Sequence, residues 1–376
     1  MEWSKITMEI YSKLEHQWLF NSDEEKKTRI LSIDGGGTNA AIAGACLVHL
    51  EDQIKTKTNN PHSKITDFFD LISGTGIGAI LATMLVADDG NGNPPFSAKQ
   101  AIEFVTKNQS KMFKLKKFNI LNRRPRFSCT SMEKLLRQAL TRPDGKPLTL
   151  KDTSKPLLVP CYDLNSSGPF VFSKADAMET PSFNFELWKI CRATTATPSR
   201  FKPFELTSVD GKTKCLAIDG GVVMNNPTAV AITHVLHNKR DFPLVNGVED
   251  LLVLSIGNGM QRMSPFKRRN EKPTTASVVV DIAADGVSET VDQMVGNAFC
   301  WNRSDYVRIQ GSGEEDIRES ILGETGVESL PMWGKRVLAE SNASRIESFV
   351  HRLVNKNSFP PTPYKNSDAT PPHAGP

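Results

Sequence analysis

Three short glycine-rich motifs in this chain stand at places where chemistry could occur. The first is Asp34-Gly35-Gly36-Gly37, which follows an apolar run and precedes an alanine-rich stretch. Glycines let the backbone turn sharply and approach a ligand closely. Their N–H groups, beside the start of a helix, can bind an anion or an oxyanion. The motif predicts an oxyanion loop, because a plain strand-to-helix turn would need only one or two glycines.

The second motif, Gly74-Thr75-Gly76-Ile77-Gly78, has the frame of a nucleophile elbow, G-x-S-x-G. In that turn a strand passes into a helix, and small flanking residues permit a strained backbone at the centre. The central residue here is Gly76, which has no side chain and cannot be a nucleophile. The neighbouring hydroxyls belong to Ser73 and Thr75, whose side chains we expect to point away from the central position.

The third motif, Asp219-Gly220-Gly221, follows the apolar run 214–218. An aspartate at a strand end suits a general base, and the two glycines keep the space beside its carboxylate open. The alternative is an aspartate that only caps the next helix. The motif is followed by Asn225-Asn226-Pro227, and proline is well placed at a helix start.

Apolar runs and helical periodicity predict the elements that hold these motifs. Strands are predicted at 29–33, 68–73, 157–161, 214–218 and 251–256, and helices at 40–54, 77–86, 185–192, 228–237, 278–294 and 334–354. Alternation of this kind favours an α/β fold with a mostly parallel sheet and helices on both faces. Functional groups in such sheets gather where strands end and helices begin, so we expect the three motifs to converge.

The composition is that of an ordinary globular protein. Of the 376 residues 39% are hydrophobic and 23% charged, and the net charge of +4 is too small to argue for nucleic acid. Six cysteines lie far apart without C-x-x-C spacing, so we predict neither a metal site nor a cofactor. This cysteine usage favours a reduced compartment, the cytoplasm. The start of the chain lacks an apolar signal core, which argues against secretion.

Three segments differ in composition from the rest of the chain. Residues 1–28 predict an amphipathic helix followed by a charged linker. The stripe of this helix consists of Ile6, Ile10, Leu14 and Trp18. Residues 356–376 form a proline-rich tail, which we predict to be disordered. Segment 111–126 carries seven Lys/Arg and no acid among apolar residues, which predicts either peripheral contact with an anionic membrane or a solvated cationic loop.

In this order on strand ends, the three motifs resemble those of the patatin-like phospholipase family. Each motif alone is weak evidence, but together they are highly specific. The likeness covers about residues 29–231, which would form the patatin-like core, and 232–355 would complete the same α/β domain. Supporting similarity lies in 67–70, 185–193 and 297–302. The glycine-centred elbow resembles that of plant patatin-related phospholipase A of group III, and within that group the chain looks most like a patatin-like protein named probable inactive.

The resemblance implies a three-layer α/β/α fold and lipid acyl hydrolysis of the phospholipase A or galactolipase type. In that family a serine attacks the ester carbonyl, an aspartate takes its proton, and a glycine loop holds the oxyanion. Carried over, Asp219 is the proton acceptor and Gly35–Gly37 form the oxyanion loop, whereas Gly76 occupies the serine position. A second departure is Asn39-Ala40, where the family has Arg-Gly and the arginine helps to hold the loop. The implied partners are membrane phospholipids, galactolipids or other acyl lipids.

Other interpretations fit single motifs less well. Residues 74–79 also satisfy the dinucleotide fingerprint, but the expected second strand ending in an acid would fall on the loop 88–95. Residues 34–38 resemble the phosphate loop of actin-like sugar kinases, which joins two strands, whereas 40–50 is predicted to be helical. None of the seven histidines falls on a strand-end motif. The main alternatives therefore share one fold: a weak or unconventional hydrolase, and an inactive relative that binds or regulates lipids.

Overall fold

The computed structural model describes residues 27–36, 40–88, 90, 96–114, 127–198, 200–259, 275–311, 318–330 and 334–355. The strands are β1 (Thr28–Ile33), β2 (Leu71–Gly74), β3 (Leu157–Asp163), β4 (Gly168–Ser173), β5 (Phe204–Thr207), β6 (Lys214–Asp219), β7 (Leu251–Ile256), β8 (Tyr306–Ile309), β9 (Thr325–Leu330) and β10 (Gly334–Ser341). The helices are α1 (Ala41–Thr58), α2 (Ile65–Phe68), α3 (Gly76–Val86), α4 (Ala98–Met112), α5 (Cys129–Ala139), α6 (Lys174–Glu179), α7 (Leu187–Thr194), α8 (Gly221–Met224), α9 (Thr228–His237), α10 (Thr275–Ala298), α11 (Arg318–Gly323) and α12 (Asn342–Asn355).

Eight strands form one sheet in the order β5-β6-β3-β2-β1-β7-β8, with β4 paired to β3 outside this path. Strands β3, β2, β1, β7 and β8 run parallel to their neighbours in this order. The pairs β3–β4, β3–β6 and β5–β6 are antiparallel. The mostly parallel sheet expected from the sequence is therefore correct for the centre, while one side of the sheet is antiparallel.

Helices cover both faces of this sheet, which gives the three-layer α/β/α architecture. Successive side chains of a strand point to opposite faces. Leu31 and Ile33 of β1 accordingly pack in one core with α1, α3 and α4, whereas Ile30 packs in a second core with α9 and the end of α10. Burial of β1, β2 and β7 on both faces explains why their sequences are continuous apolar runs.

Two predicted elements were wrong in part. Residues 334–341 were expected to begin the last helix, but they form β10, which pairs antiparallel with β9, and the helix begins at Asn342. Pairing with β9 satisfies the backbone of this segment, so a tertiary contact overrides its local pattern. Phe68 was expected in a strand but ends α2, and β2 begins only at Leu71. The Asp70 carboxylate accepts hydrogen bonds from the Arg29 N–H and Nε, which ties the residue before β2 to β1.

Several predicted segments lie wholly or partly outside the described residues. They are the N-terminal helix within 1–28, the core of the basic segment at 115–126, and the tail 356–376. Among the helices that the structure does describe, none combines the length and apolar character needed to cross a bilayer. The described ranges also hold no group of three or more side chains suited to bind a metal.

Candidate active site

The glycine loop, the elbow and the acidic motif meet at one point of the structure. A Cβ atom placed on Gly76 would lie 3.6 Å from the Gly35 Cα atom and 3.7 Å from Asp219 Oδ1. The same atom would lie 3.9 Å from the Thr194 carbonyl oxygen. These are ordinary van der Waals distances, so there is room for a Cβ atom between the acid and the loop. The convergence expected from three strand ends is thus present.

Asp219 reaches this point along an antiparallel strand. Strand β3 extends past the end of β2, because Ser73 pairs with Leu158 while β3 continues to Asp163. Strand β6 runs back along this extension and ends where Asp219 pairs with Cys161. Cys161 lies three residues beyond Leu158, just as Gly76 lies three residues beyond Ser73. Asp219 therefore lies beside Gly76, although β6 runs antiparallel to β3 and β2 runs parallel to it.

The elbow has the backbone conformation that a nucleophile elbow requires. Gly76 has φ +54°, in the left-handed region that costs other residues about 1–2 kcal/mol. Its flanking glycines permit close packing of the turn. A Cβ atom at Gly74 would lie 2.6 Å from the Gly78 carbonyl oxygen, and one at Gly78 would lie 2.4 Å from that of Asp34. Ile77, between them, is buried in the core. The frame of the elbow is intact although its central side chain is missing.

The Thr75 hydroxyl beside the elbow is turned away from the site, as expected. Thr75 is fully buried, and its hydroxyl donates a hydrogen bond to the Met224 carbonyl oxygen at 2.8 Å. Ser73 is fully buried within β2. The Gly76 N–H donates to the hydroxyl of Thr194 at 3.1 Å, which fixes the start of α3. The Thr75 hydroxyl, which is engaged with Met224, is not placed to replace the missing nucleophile.

The glycine loop differs in one respect from the expected oxyanion loop. The Gly35 N–H already donates to the Asn225 carbonyl oxygen at 2.9 Å, so it is not free to bind an oxyanion. Gly36 has φ +119°, and its N–H makes no hydrogen bond within the described part of the chain. Gly37 lies outside the described residues. Asn258 braces the loop by donating to the Asp34 carbonyl oxygen at 2.8 Å.

The Asp219 carboxylate is held at both oxygens. Oδ2 accepts a hydrogen bond from the Thr197 hydroxyl at 2.6 Å, and Oδ1 accepts one from the Gly221 N–H at 2.8 Å. The N-cap position of α8 is Gly220, and no side chain caps this helix, so Asp219 is not its N-cap residue; its Oδ1 also faces Gly76. The adjoining Gly220 is needed for packing, since a Cβ there would lie 2.2 Å from the Pro160 carbonyl oxygen.

Burial raises the pKa of Asp219 above its ordinary value, whereas the hydrogen bonds from Thr197 and Gly221 and the charge of Arg200 lower it. A raised pKa brings a carboxylate closer to the operating pH, which favours its use as a general base. The hydrogen bond from Thr197 stabilises the ionised carboxylate of Asp219. It engages Oδ2, so Oδ1 remains directed at the site. Thr197 is a positioning residue, because its hydroxyl holds the Asp219 carboxylate.

Removal of the Thr197 hydroxyl should shift the pH dependence of any hydrolysis. In Thr197→Val the carboxylate loses a stabilising hydrogen bond, so the pKa of Asp219 rises. The acidic limb of the kcat/KM profile then moves to higher pH, and below that limb activity should fall about tenfold. Thr197→Ser keeps the hydroxyl and is the matched control. A uniform loss of activity at every pH would contradict this role.

A buried ionic network ties the glycine loop to distant parts of the chain. The Arg308 Nη1 and Nη2 atoms lie 2.9 Å and 2.5 Å from the two oxygens of Asp34. Arg308 Nε lies 2.9 Å from Asp292 Oδ1, which also accepts from Asn226 at 2.7 Å. The network joins the residue before the glycine loop to β8, to α10 and to the segment after the acidic motif.

Cys161, the thiol that pairs with Asp219 in the sheet, is not a nucleophile. Cys161 and Cys215 are buried, with their sulfur atoms 3.9 Å apart. The contact with Cys215 and burial both raise the pKa of Cys161. A thiol is reactive only as the thiolate, so Cys161 is inert although it pairs with Asp219 in the sheet. All cysteines in the described ranges are free.

Sequence reasoning missed several residues that organise this site. They are Thr194, Thr197, Asn258, Asp292 and Arg308. Asn225 and Asn226 were noted only as part of a helix start, whereas the structure shows them bracing Gly35 and Asp292. The others carried no local signal, because a single polar residue acquires a role here only through contacts with remote segments.

Comparisons with known proteins identify relatives of this chain. A family model described as patatin-like phospholipase matches residues 31–232. The chain is 59% identical to "Probable inactive patatin-like protein 9" of Arabidopsis thaliana, over 99% of this chain and 98% of the relative. It is 40% identical to "Patatin-like protein 6" of the same plant, over 88% of this chain and 72% of the relative.

Among solved structures, VipD from Legionella pneumophila aligns with 89% of this chain and 67% of its own, at 12% identity and a TM-score of 0.37. That likeness is too weak to support an argument. The family model covers more than half of the chain, and the two plant relatives match most of its length. The chain belongs to the patatin-like phospholipase family.

Proposed function

We propose that this chain is a weak lipid acyl hydrolase of the phospholipase A or galactolipase type, in which Asp219 activates water beside Gly76. The observation that carries the proposal is the space beside Gly76. A Cβ atom placed on this glycine would lie 3.7 Å from Asp219 Oδ1 and 3.6 Å from the Gly35 Cα atom. A hydrolytic water needs polar partners and room of about 10–15 Å³. The Thr194 carbonyl oxygen, 3.9 Å from the same position, is a second polar partner.

The reaction would proceed by direct attack without an acyl-enzyme. The water oxygen bonds to the ester carbonyl carbon while Asp219 takes the water proton. The glycine loop stabilises the resulting oxyanion. The donor is the Gly36 N–H, which makes no hydrogen bond within the part of the chain that the structure describes. Collapse of the tetrahedral intermediate breaks the ester bond. The fatty acid and the alcohol leave, and the alcohol oxygen receives the proton from Asp219.

The second candidate function is that of an inactive relative that binds lipids or regulates their use. One observation favours it: the central residue of the elbow is Gly76, so the site has no side-chain nucleophile of the family's type. The high identity to a relative named "Probable inactive patatin-like protein 9" points the same way. Asp219 and the glycine loop would then be kept for packing.

Asp219→Asn separates these two functions. We expect slow hydrolysis of phosphatidylcholine or monogalactosyl diacylglycerol by the purified chain, and a loss of about 10²–10⁴-fold in the variant, because the amide cannot take a proton. Fatty acid release measured by mass spectrometry gives the rate, and intact-protein mass spectrometry searches for a trapped acyl group. Asp210→Asn, an exposed carboxylate elsewhere, is the matched control.

The possible results distinguish the mechanisms. Loss of activity in Asp219→Asn without any acyl-enzyme supports attack by water. An acyl group trapped on Ser73, Thr75 or Thr197 refutes it. No detectable hydrolysis by the wild-type chain over the whole lipid panel refutes the hydrolase and leaves the lipid-binding function.

We further propose peripheral membrane contact through the basic segment 111–126, at the cytoplasmic side of a membrane. Its seven cationic residues would each contribute about 1 kcal/mol near an anionic surface, and the free cysteines support a reducing compartment. We expect binding to phosphatidylserine vesicles that weakens as salt rises. A variant with Arg123, Arg124 and Arg126 changed to Gln should bind less in a vesicle co-sedimentation assay. Equal binding to neutral and anionic vesicles would contradict this proposal.

A further inference from the structure

A second cavity lies beside β8, at the edge of the sheet opposite β5. Its volume is about 360 Å³, within the range of about 300–1,000 Å³ that is typical of small-molecule sites. The walls come from the C-terminal half of α10, from β8, from the β9–β10 hairpin and from α12. No residue of the glycine loop, the elbow or the acidic motif lines it. We call it the β8 cavity.

The lining of the β8 cavity has an apolar part and a strongly cationic part. The apolar part is Phe299, Val307, Val327, Leu338 and Phe349. The charged groups facing it are five arginines, at positions 303, 308, 336, 345 and 352, and three carboxylates, at positions 292, 328 and 340. An excess of arginine beside an apolar wall suits a ligand with an anionic head and a hydrocarbon chain.

Four of these arginines are engaged with carboxylates. Arg308 is held by Asp34 and Asp292. The other three pairings are Arg303 with Glu328, Arg336 with Glu328, and Arg352 with Asp305. Their charges are largely compensated within the protein, so they do not by themselves define an anion site.

Arg345 is different from the other four. Its Nη1 atom donates to the Arg308 carbonyl oxygen at 2.5 Å, and no carboxylate of the described residues lies within 4.0 Å of its guanidinium. Glu340 and Glu328 act on it only from longer range. A guanidinium has five N–H donors, and one bond to a carbonyl leaves most of them available. Arg345 is thus a part-buried cation whose donors are not matched by an acid.

Strand β9 is shaped to hold this guanidinium. A Cβ atom on Gly326 would lie 2.6 Å from the Arg345 Nη1 atom, so glycine lets the side chain lie close against the strand. The next residue along β9, Val327, belongs to the apolar part of the lining. Phe349, another member of the apolar part, follows Arg345 by four residues on α12, so the cationic group and an apolar lining residue lie on one face of that helix.

We propose that the β8 cavity binds a single-chain anionic lipid, with its head group on Arg345 and its chain against Val327, Leu338 and Phe349. A carboxylate can accept two parallel hydrogen bonds from one guanidinium. A free fatty acid has this chemistry, and an alkyl phosphate shares it. The proposal does not depend on hydrolysis at Asp219, because no residue of the glycine loop, the elbow or the acidic motif lines the β8 cavity.

Calorimetric titration with dodecanoate below its micelle concentration tests this site. We expect one dodecanoate per chain, with binding at least about tenfold weaker for dodecanol, which lacks the charge, and for acetate, which lacks the chain. Dodecyl phosphate distinguishes the two head groups: tighter binding than dodecanoate would assign a phosphate, and weaker binding a carboxylate. Equal affinity for dodecanoate and dodecanol would overturn the proposal.

Two variants locate the ligand. Arg345→Met removes the charge and should weaken dodecanoate binding about 10- to 100-fold. Arg240→Met is the matched control, because it also replaces an arginine by methionine, at an exposed position that does not line the cavity. It should leave dodecanoate binding unaltered. Val327→Trp fills the apolar part without altering charge and should also abolish binding. Thermal unfolding shows which variants are folded, and if Arg345→Met is not, Val327→Trp decides. Unchanged affinity in a folded variant of either kind would refute the site.

Discussion

Gly76→Ser is expected to raise the kcat/KM for lipid ester hydrolysis by at least about 100-fold. The Cβ atom of the new side chain would lie 3.7 Å from Asp219 Oδ1, so a hydroxyl one bond further can donate to that oxygen. Loss of the nucleophile from a serine protease costs about 10⁶-fold in kcat, which sets an upper bound on the gain. The gain should be smaller here, because the Gly35 N–H is already bonded to Asn225.

The same substitution should cost stability. Gly76 has φ +54°, and a side chain in this region costs about 1–2 kcal/mol. Urea unfolding of the variant measures that cost. Gly76→Ala carries the same strain without a hydroxyl, so it should lose stability and gain no activity. Combining Gly76→Ser with Asp219→Asn should remove the gain.

A fluorophosphonate probe gives an independent measure. It should label the Gly76→Ser chain at position 76 and leave the wild-type chain unlabelled at that position. A folded Gly76→Ser chain that neither reacts with the probe nor hydrolyses esters would contradict the assignment of Asp219 and the glycine loop as a competent acyl-transfer site.

Arg308→Met is expected to lower the free energy of unfolding by about 3–5 kcal/mol at pH 8. The variant leaves Asp34 and Asp292 buried without their shared cation, and an uncompensated buried charge carries a cost of this size. In the wild-type chain burial raises the pKa of Asp34 to about 6. It raises that of Asp292 as well, because one guanidinium cannot offset the burial of two carboxylates.

The pH dependence of this effect has a definite sign. A carboxyl whose folded pKa lies above its unfolded value contributes stability at low pH, and that stability is lost as pH rises through the folded pKa. Without Arg308 both folded pKa values rise further. The loss in Arg308→Met should therefore be smaller at pH 5 than at pH 8, where both carboxyls would have to be ionised in the fold.

Urea unfolding at pH 5 and pH 8 measures this difference. Arg240→Met, in an exposed pair with Glu179, should lose less than about 1 kcal/mol at either pH. Adding Asp34→Asn and Asp292→Asn to Arg308→Met should recover much of the loss, because no buried charge is then left unpaired. A loss in Arg308→Met that does not change with pH would contradict this account.

Local sequence was sufficient for much of the architecture and for the positions of the three motifs. The run Leu251–Ile256 is a strand and Thr228–His237 a helix with the predicted bounds, because apolar runs and helical periodicity are local signals. The glycines of the elbow likewise marked a turn with a positive φ. The absence of a serine at Gly76 needed no structure at all.

Tertiary structure decided how the site is assembled. That Asp219 arrives on an antiparallel strand depends on β3 extending past β2, which no local pattern encodes. Residues 334–341 became β10 because β9 offered a partner, although their own sequence suggested a helix.

The polar residues that hold the site depend even more on the fold. Arg308 contacts Asp34 across 274 positions of sequence, and Thr197 contacts Asp219 across 22. Hydrogen bonds and ion pairs between side chains are decided by where the folded backbone places the two partners, and a single polar residue in a sequence does not specify its partner. The motifs thus identified the loop, the elbow and the acid, while long-range contacts decided what holds them in place.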